Sequence, residues 1–226
     1  PAAASAAANR QRQGTMGESR TIAIAGNMGT GKSTLVDFLS RTYGIVPFYE
    51  PNDENPFLPD FYHDMKRWAF HSQLYFLSSK FRMHQELDRM DGVVVLDRTI
   101  FEDAEIFATA LHRMRKINSR EWQTYWDLYR SILDAVRPPD LMIYLRCSMR
   151  TLRKRIRLRG RPMEQDISLS YLKHLDRLYE DWIANYTLGE VLVLDTDRLD
   201  YINDMMDCLD IMERVEALLP STLSQT

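Results

Sequence analysis

The chain has 226 residues, 45% of them hydrophobic, which suits one domain with a full core and no need of disulfide or metal staples. Lys and Arg number 29 against 32 Asp and Glu, and a net charge of −3 excludes a protein that coats nucleic acid, where a strongly basic domain is required. Cys147 and Cys208 are too few for a disulfide framework or a cysteine metal cage, and no apolar run approaches the ~18 residues of a membrane span, so a cytoplasmic protein is expected.

Residues 1–19 are rich in Ala, Ser, Gln, Arg and Gly and carry almost no bulky apolar side chain. Such a segment cannot offset its own ordering entropy and is expected to be a disordered leader or tag, with Met16 a candidate natural start. A single domain is expected over 20–220, with a tail over 221–226. From residue 21 short β-rich runs alternate with long helical stretches. Strands are predicted over 21–25, 45–50, 93–97, 141–145 and 191–195. The last three are apolar without alternation, the pattern of parallel strands covered on both faces. Helices between them give βαβ units, hence an α/β fold with a five-stranded parallel sheet flanked by helices.

Between the first strand and the first helix stands Gly26-Asn27-Met28-Gly29-Thr30-Gly31-Lys32-Ser33-Thr34, which fits G-x-x-x-x-G-K-[ST]. Its glycines let backbone amides wrap a polyphosphate at the positive end of the following helix. Lys32 is placed to reach the β- and γ-phosphates, and the Ser33 hydroxyl to hold Mg²⁺. ATP and Mg²⁺ are therefore the expected cofactors, on a P-loop kinase fold.

The longest predicted helix runs over 64–90, about 40 Å at 1.5 Å per residue. Ala69, Phe76, Met83 and Met90 fall at heptad spacing, while Phe70, Leu74, Leu77 and Phe81 point to other sides. A helix apolar on several sides is covered on several sides, either as a central core helix or by a second subunit; a homodimer through the long helices is expected. Asp97 ends the strand 93–97, where ligands of open α/β sheets bind. It suits either Mg²⁺ or a helix N-cap, and the metal role is favoured.

Eight basic residues lie between Arg146 and Arg161 with no acid among them; outside that segment 21 bases face 32 acids. After the strand 141–145, Ser148 is a predicted cap for a helix through about residue 158, broken by Gly160 and Pro162. Like charges at helical spacing repel, so a plain solvated face is disfavoured against an Arg-rich lid over ATP. The chain reads as a phosphotransferase or an NTPase. Glu50, after an apolar run and before Pro51, is by residue type either a general base for the acceptor or an ordinary loop acid.

The phosphate loop, Glu50-Pro51, Asn55-Pro56-Phe57-Leu58-Pro59-Asp60-Phe61-Tyr62, Lys66-Arg67-Trp68-Ala69-Phe70, Gln73, Asp97-Arg98-Thr99, Glu102-Asp103-Ala104-Glu105-Ile106-Phe107 and Arg159-Gly160-Arg161 together resemble the deoxyribonucleoside kinase family. The similarity is greatest to its bacterial deoxyadenosine/deoxyguanosine branch and runs in order from about residue 21 to 219. The resemblance implies ATP-dependent 5′-phosphorylation of a deoxyribonucleoside. It implies Glu50 as the base for the 5′-hydroxyl and Arg98 as the contact to that hydroxyl and the moving phosphate, beside Lys32. It implies that Tyr62 and Glu164 hold the 3′-hydroxyl, Gln73 and Asp103 read the base edge, and Phe107 stacks on the base. Arg155, Arg159 and Arg161 become lid arginines, and Arg198 lies by the donor adenine, though a plain turn explains that loop equally.

Taken singly, Tyr62 and Phe107 could be core aromatics, Gln73 a surface amide, Asp103 a first-turn helix acid and Glu164 a counter-ion for the lid. A Gln amide beside an acceptor-only Asp suits an amino-bearing base edge, adenine or cytosine. Lys80 stands where relatives often have Arg and lacks the planar fork, which disfavours guanine. The expected order is deoxyadenosine, deoxycytidine, deoxyguanosine. The alternatives are a nucleoside monophosphate kinase of the thymidylate kinase kind, whose acceptor phosphate Glu50 and Glu164 would repel, and a non-catalytic nucleotide-binding subunit.

Overall fold

The computed structural model describes residues 20–52, 54–165, 167–199 and 204–218. The expectations for 1–19 and 221–226 lie outside the described residues. Five parallel strands form one sheet in the order β2-β3-β1-β4-β5: β1 (Arg20–Ala25), β2 (Val46–Phe48), β3 (Val93–Asp97), β4 (Leu141–Arg146) and β5 (Glu190–Asp195). β1 is central, with Ile24 opposite Asp97 of β3 and Ile143 of β4. Chain order reverses direction on either side of β1, so the crevice at its carboxyl end is the natural ligand position.

Strand alternation feeds two cores. Ile22, Ile24, Val95, Ile143 and Leu194 pack with Leu35 and Leu39 of α1 (Lys32–Tyr43) and Ile211 and Val215 of α8 (Met205–Leu218). Ala23, Ala25, Leu96, Met142 and Tyr144 face a larger group on the other side. That group includes Phe76 of α3 (Met65–Leu87), Ile106 of α4 (Ile100–Arg113) and Leu175 of α7 (Leu169–Ala184). Burial on both faces is why these strands read as unbroken apolar runs.

Predicted boundaries shift most at β2 and at the long helix. β2 stops at Phe48 and not at residue 50, because it is an edge strand that carries Pro47 and pairs only with β3. Tyr49 and Glu50 therefore leave the sheet. α3 spans 23 residues, about 34 Å, and not the 27 expected; Asp64 caps it by accepting from the Arg67 amide. The second covered side of α3 is met within the chain: Leu77 packs with Tyr125 and Tyr129 of α5 (Ser119–Leu133).

The helix after β3, α4, has an unexpected form. It opens as Ile100–Glu102, widens into π geometry over Asp103–Ala108 and returns to α geometry over Thr109–Arg113. The Thr109 amide and hydroxyl both donate to the Ala104 carbonyl, which stabilises the wide turn. Such segments recur at functional sites. The basic segment forms α6 (Met149–Arg159), capped by Ser148 as expected and ended by Gly160 at φ 71°. A short helix, α2 (Leu58–His63), precedes α3.

Candidate active site

The phosphate loop leaves β1 at Gly26 and enters α1 through Gly31, whose φ of 102° no branched residue adopts cheaply. No side chain caps α1, and no acid stands in its first turn, so its positive end suits a phosphate. Lys32 is buried and donates from Nζ to the Asn27 carbonyl at 3.0 Å. Burial and the nearby Arg98 charge bring its pKa down to about 8 against the pull of Asp97, Glu102 and Glu50. The loop is braced from two sides. Asn27 Nδ2 donates to the Leu172 carbonyl at 3.0 Å, and α6 presses Ile156 against Gly29, where a Cβ would come within 2.9 Å of Ile156 Cγ1.

Asp97 ends β3 and accepts the Ser33 hydroxyl at 2.6 Å through Oδ2, while its buried Oδ1 has no hydrogen-bond partner. Thr99, and not Asp97, caps α4 by accepting from the Glu102 amide. A hydroxyl and a carboxylate with a spare oxygen make an all-oxygen donor set of the kind that suits Mg²⁺. Among the described residues no cluster of three metal-binding acids, His or Cys occurs. Two protein ligands accord with an ion that takes the rest of its shell from phosphates and water.

Arg98 has φ 68°, a left-handed conformation that costs about 1–2 kcal/mol outside glycine. Its amide donates to the Ile24 carbonyl at 3.1 Å, and its Nε lies 3.4 Å from Glu50 Oε1. Its guanidinium carbon sits 4.3 Å from the Phe107 ring centroid. Glu50 also accepts from Asn52 Nδ2 at 3.0 Å. Burial pushes the Glu50 carboxyl up, but Arg98, Lys80 and Lys32 together outweigh it and hold the group well below the usual carboxylate range.

One cavity of about 60 Å³ gathers the residues singled out from sequence: Lys32, Ser33, Glu50, Tyr62, Gln73, Asp97, Arg98, Asp103, Phe107, Arg159, Arg161 and Glu164 line it. Gln73 Oε1 and Asp103 Oδ2 are buried there without hydrogen-bond partners. Lys80, 1% exposed, lies 3.8 Å from Asp103 Oδ2 and donates to the Asp97 carbonyl at 3.3 Å. Glu164 pairs with Arg159 and, at 3.4 Å, with Arg161. Asn55, buried, fixes the segment that carries Tyr62: its side chain donates to Ser72 Oγ at 3.0 Å and accepts the Phe57 amide.

Two predicted residues stand elsewhere. Arg155 has its fork on the Thr30 carbonyl at 3.0 Å and the Thr196 carbonyl at 2.6 Å, so it ties α6 to the phosphate loop and to the end of β5. Arg198 is exposed in the loop after β5. Arg150, Arg153 and Arg157 face solvent on the outer side of α6, so the solvated reading holds for that stripe. Glu102 stands in the quoted family motif but was given no role. The available signal was its position four residues after Arg98 in an apolar stretch.

A parallel 2-3-1-4-5 sheet, a phosphate loop after the central strand and arginines on the element beside it define a P-loop kinase. Residues 22–220 match the family model described as Deoxynucleoside kinase. The chain belongs to the deoxynucleoside kinase family and is a kinase. It is 34% identical over 200 residues to the Bacillus subtilis deoxyadenosine/deoxycytidine kinase, covering 88% of this chain and 92% of that one. It is 36% identical over 203 residues to a Lactobacillus acidophilus deoxyguanosine kinase, covering 86% and 88%. Among solved structures, deoxyadenosine kinase from M. mycoides with products dCMP and a flexible dCDP bound superposes with a TM-score of 0.78 at 29% identity, covering 87% of this chain and 99% of that one. The same kinase with bound dATP gives 0.76 at 29% identity over the same shares.

Proposed function

We propose that this kinase uses ATP to phosphorylate the 5′-hydroxyl of a deoxyribonucleoside, with deoxyadenosine preferred, then deoxycytidine, then deoxyguanosine. The observation that carries the reading is the convergence of Glu50, Arg98, Gln73 and Asp103 on one cavity beside Lys32. Glu50 is ionised at neutral pH, because Arg98, Lys80 and Lys32 hold its carboxyl low, and so has the acceptor oxygens a base needs. Lys32, Arg98, Arg159 and Arg161 supply positive charge where negative charge spreads over the moving phosphoryl oxygens. Ser33 and Asp97 would hold Mg²⁺, which when bound neutralises charge on the phosphates. Tyr62 and Glu164 are assigned to the 3′-hydroxyl, and Phe107 to the face of the base.

Gln73 Oε1, buried without a hydrogen-bond partner, favours a base that presents an amino group. Asp103, whose carboxyl burial pushes up to about 7 against the pull of Lys80, accepts from that amino group in its ionised form. Adenine and cytosine present one at the edge in question; thymine presents a carbonyl. Lys80 is occupied behind Asp103 and offers guanine no bidentate donor. The test is a steady-state comparison of the four deoxynucleosides with ATP and Mg²⁺. A highest kcat/KM for thymidine or deoxyguanosine refutes the base assignment.

The ion pairs Arg98–Glu50 and Arg159–Glu164 both line the cavity. We take α6 and the following Arg159–Glu164 segment as a lid that opens to admit substrates, with Arg155 its strut to the loop and Arg198 the candidate for the donor adenine. A homodimer is proposed through the outer sides of α3 and α5, where Phe70, Phe81 and Trp126 stay half-buried and Leu128 exposed. Sedimentation that gives a monomer mass removes that proposal. Two free thiols support a reducing, cytoplasmic setting.

A further inference from the structure

Glu102 is 0% exposed and takes no part in the cavity wall. Its neighbours are nevertheless three working parts. Oε1 accepts the Gly26 amide, where the phosphate loop begins, at 3.3 Å. The same oxygen accepts the Tyr179 hydroxyl from α7 and lies 4.0 Å from Arg98 Nε. Oε2 is buried with no hydrogen-bond partner. A neutral amide of the same shape would satisfy both donors without the cost of burying an ion. Burial raises the Glu102 carboxyl while Arg98 and Lys32 draw it back; what the ionised form adds is a pull on Arg98 across 4.0 Å.

That pull matters because Glu50 competes for the same guanidinium edge, at 3.4 Å. With Glu50 as its sole carboxylate neighbour on Nε, Arg98 would close on the oxygens that must take the proton. A second carboxylate shares the charge and, through Gly26, ties it to the phosphate loop. We propose that Glu102 is a positioning residue: it holds Arg98 and the start of the phosphate loop in register for transfer and keeps Arg98 from locking onto Glu50. This rests on the assignment of Arg98 to the reacting phosphate.

The test is Glu102→Gln in the full chain, with Arg98→Ala and the double variant beside it. In Glu102→Gln, kcat falls at least about tenfold, one decade of barrier. Nucleoside KM stays within about threefold, which separates lost positioning from lost substrate binding. The loss disappears in the Arg98→Ala background, as expected for residues that act as one unit. An unchanged kcat in Glu102→Gln, or the same fold-loss with and without Arg98, overturns the inference. If Arg98→Ala itself leaves kcat intact, the reading of Arg98 fails first, which separates the two failures. Should Glu102→Gln not fold, Tyr179→Phe removes one of the two donors on Oε1; a several-fold lower kcat supports the clamp, and an unchanged kcat overturns it.

Discussion

Replacing Glu50 by Gln removes one charge and one proton acceptor while keeping size and a hydrogen-bonding oxygen. A positioned base is worth about 10²–10⁴-fold. At 1.36 kcal/mol per decade, the barrier rises by roughly 3–5 kcal/mol. Nucleoside affinity changes far less, because the amide still accepts a hydrogen bond. Stability responds separately. Unit charges 3.4 Å apart, as Arg98 Nε and Glu50 Oε1 are, attract by about 5 kcal/mol at an effective dielectric of 20. Desolvation offsets much of that, and Glu102 remains beside Arg98, so the net loss is about 1–3 kcal/mol. For a chain of this size that lowers Tm by roughly 2–10 °C. The change also has a pH signature. The folded Glu50 carboxyl titrates below its unfolded value of ~4.3, so its contribution is full above that pH and is lost as pH falls through the folded value. The parent therefore loses Tm more steeply than Glu50→Gln below about pH 4. Single-turnover phosphorylation of deoxyadenosine, isothermal titration of nucleoside and Tm against pH measure the three parts. A kcat within about threefold of the parent removes Glu50 as the base.

Gln73→Ala leaves the base edge short of a partner, which costs about 1–3 kcal/mol, so nucleoside KM rises roughly tenfold to a hundredfold and the ranking of bases flattens; an unchanged ranking in the four-nucleoside assay contradicts its role. Gly29→Ala sets a Cβ 2.9 Å from Ile156 Cγ1 and 3.1 Å from the Leu152 carbonyl at φ +81°. Strain plus overpacking cost about 2–4 kcal/mol, seen as a Tm lower by roughly 5–15 °C and a weaker ATP KM. A parent-like Tm shows that α6 gives way freely. Chelation by EDTA abolishes activity and Mg²⁺ restores it, while Asp97→Asn raises the Mg²⁺ required for half-maximal rate about tenfold or more; an unshifted Mg²⁺ titration removes Asp97 from the metal.

The strands and the phosphate loop were legible because their signals are local. Val93–Leu96 is apolar on both faces, and a glycine pattern between strand and helix has one mechanical use. Pairings across the sheet were not. Ser33 with Asp97 and Gly26 with Glu102 join residues 64 and 76 positions apart, and only the sheet order brings them together. The cover of α3 stayed open between core and second subunit for the same reason: periodicity shows that a side is buried but not by what, and α5 supplies the cover over Leu77. The π turns of α4 left no trace in the apolar spacing, because Asp103 and Phe107 share a face with or without them.

The basic segment shows where charge counting reaches its limit. Eight bases without an acid read as one device, but the fold divides them by direction. Arg146 turns to Glu180, Arg155 to backbone carbonyls of the phosphate loop and β5, Arg159 and Arg161 to Glu164, and the outer stripe to water. Helical spacing separates these directions only if the neighbours are known. Glu164 then gains a second meaning beyond the sugar contact proposed for it. It neutralises two arginines that would otherwise repel across the cavity, as Glu50 and Glu102 neutralise Arg98. On the proposed reading, substrate binding is an exchange of partners: phosphate oxygens replace Glu164 at the arginines, and the freed carboxylate turns to the 3′-hydroxyl. Electrostatic preorganisation of this kind places the charges before the phosphoryl group moves. On the same reading the arginines, which keep contact with water, can be released at little cost, whereas Glu164 is buried and needs the 3′-hydroxyl as its new partner.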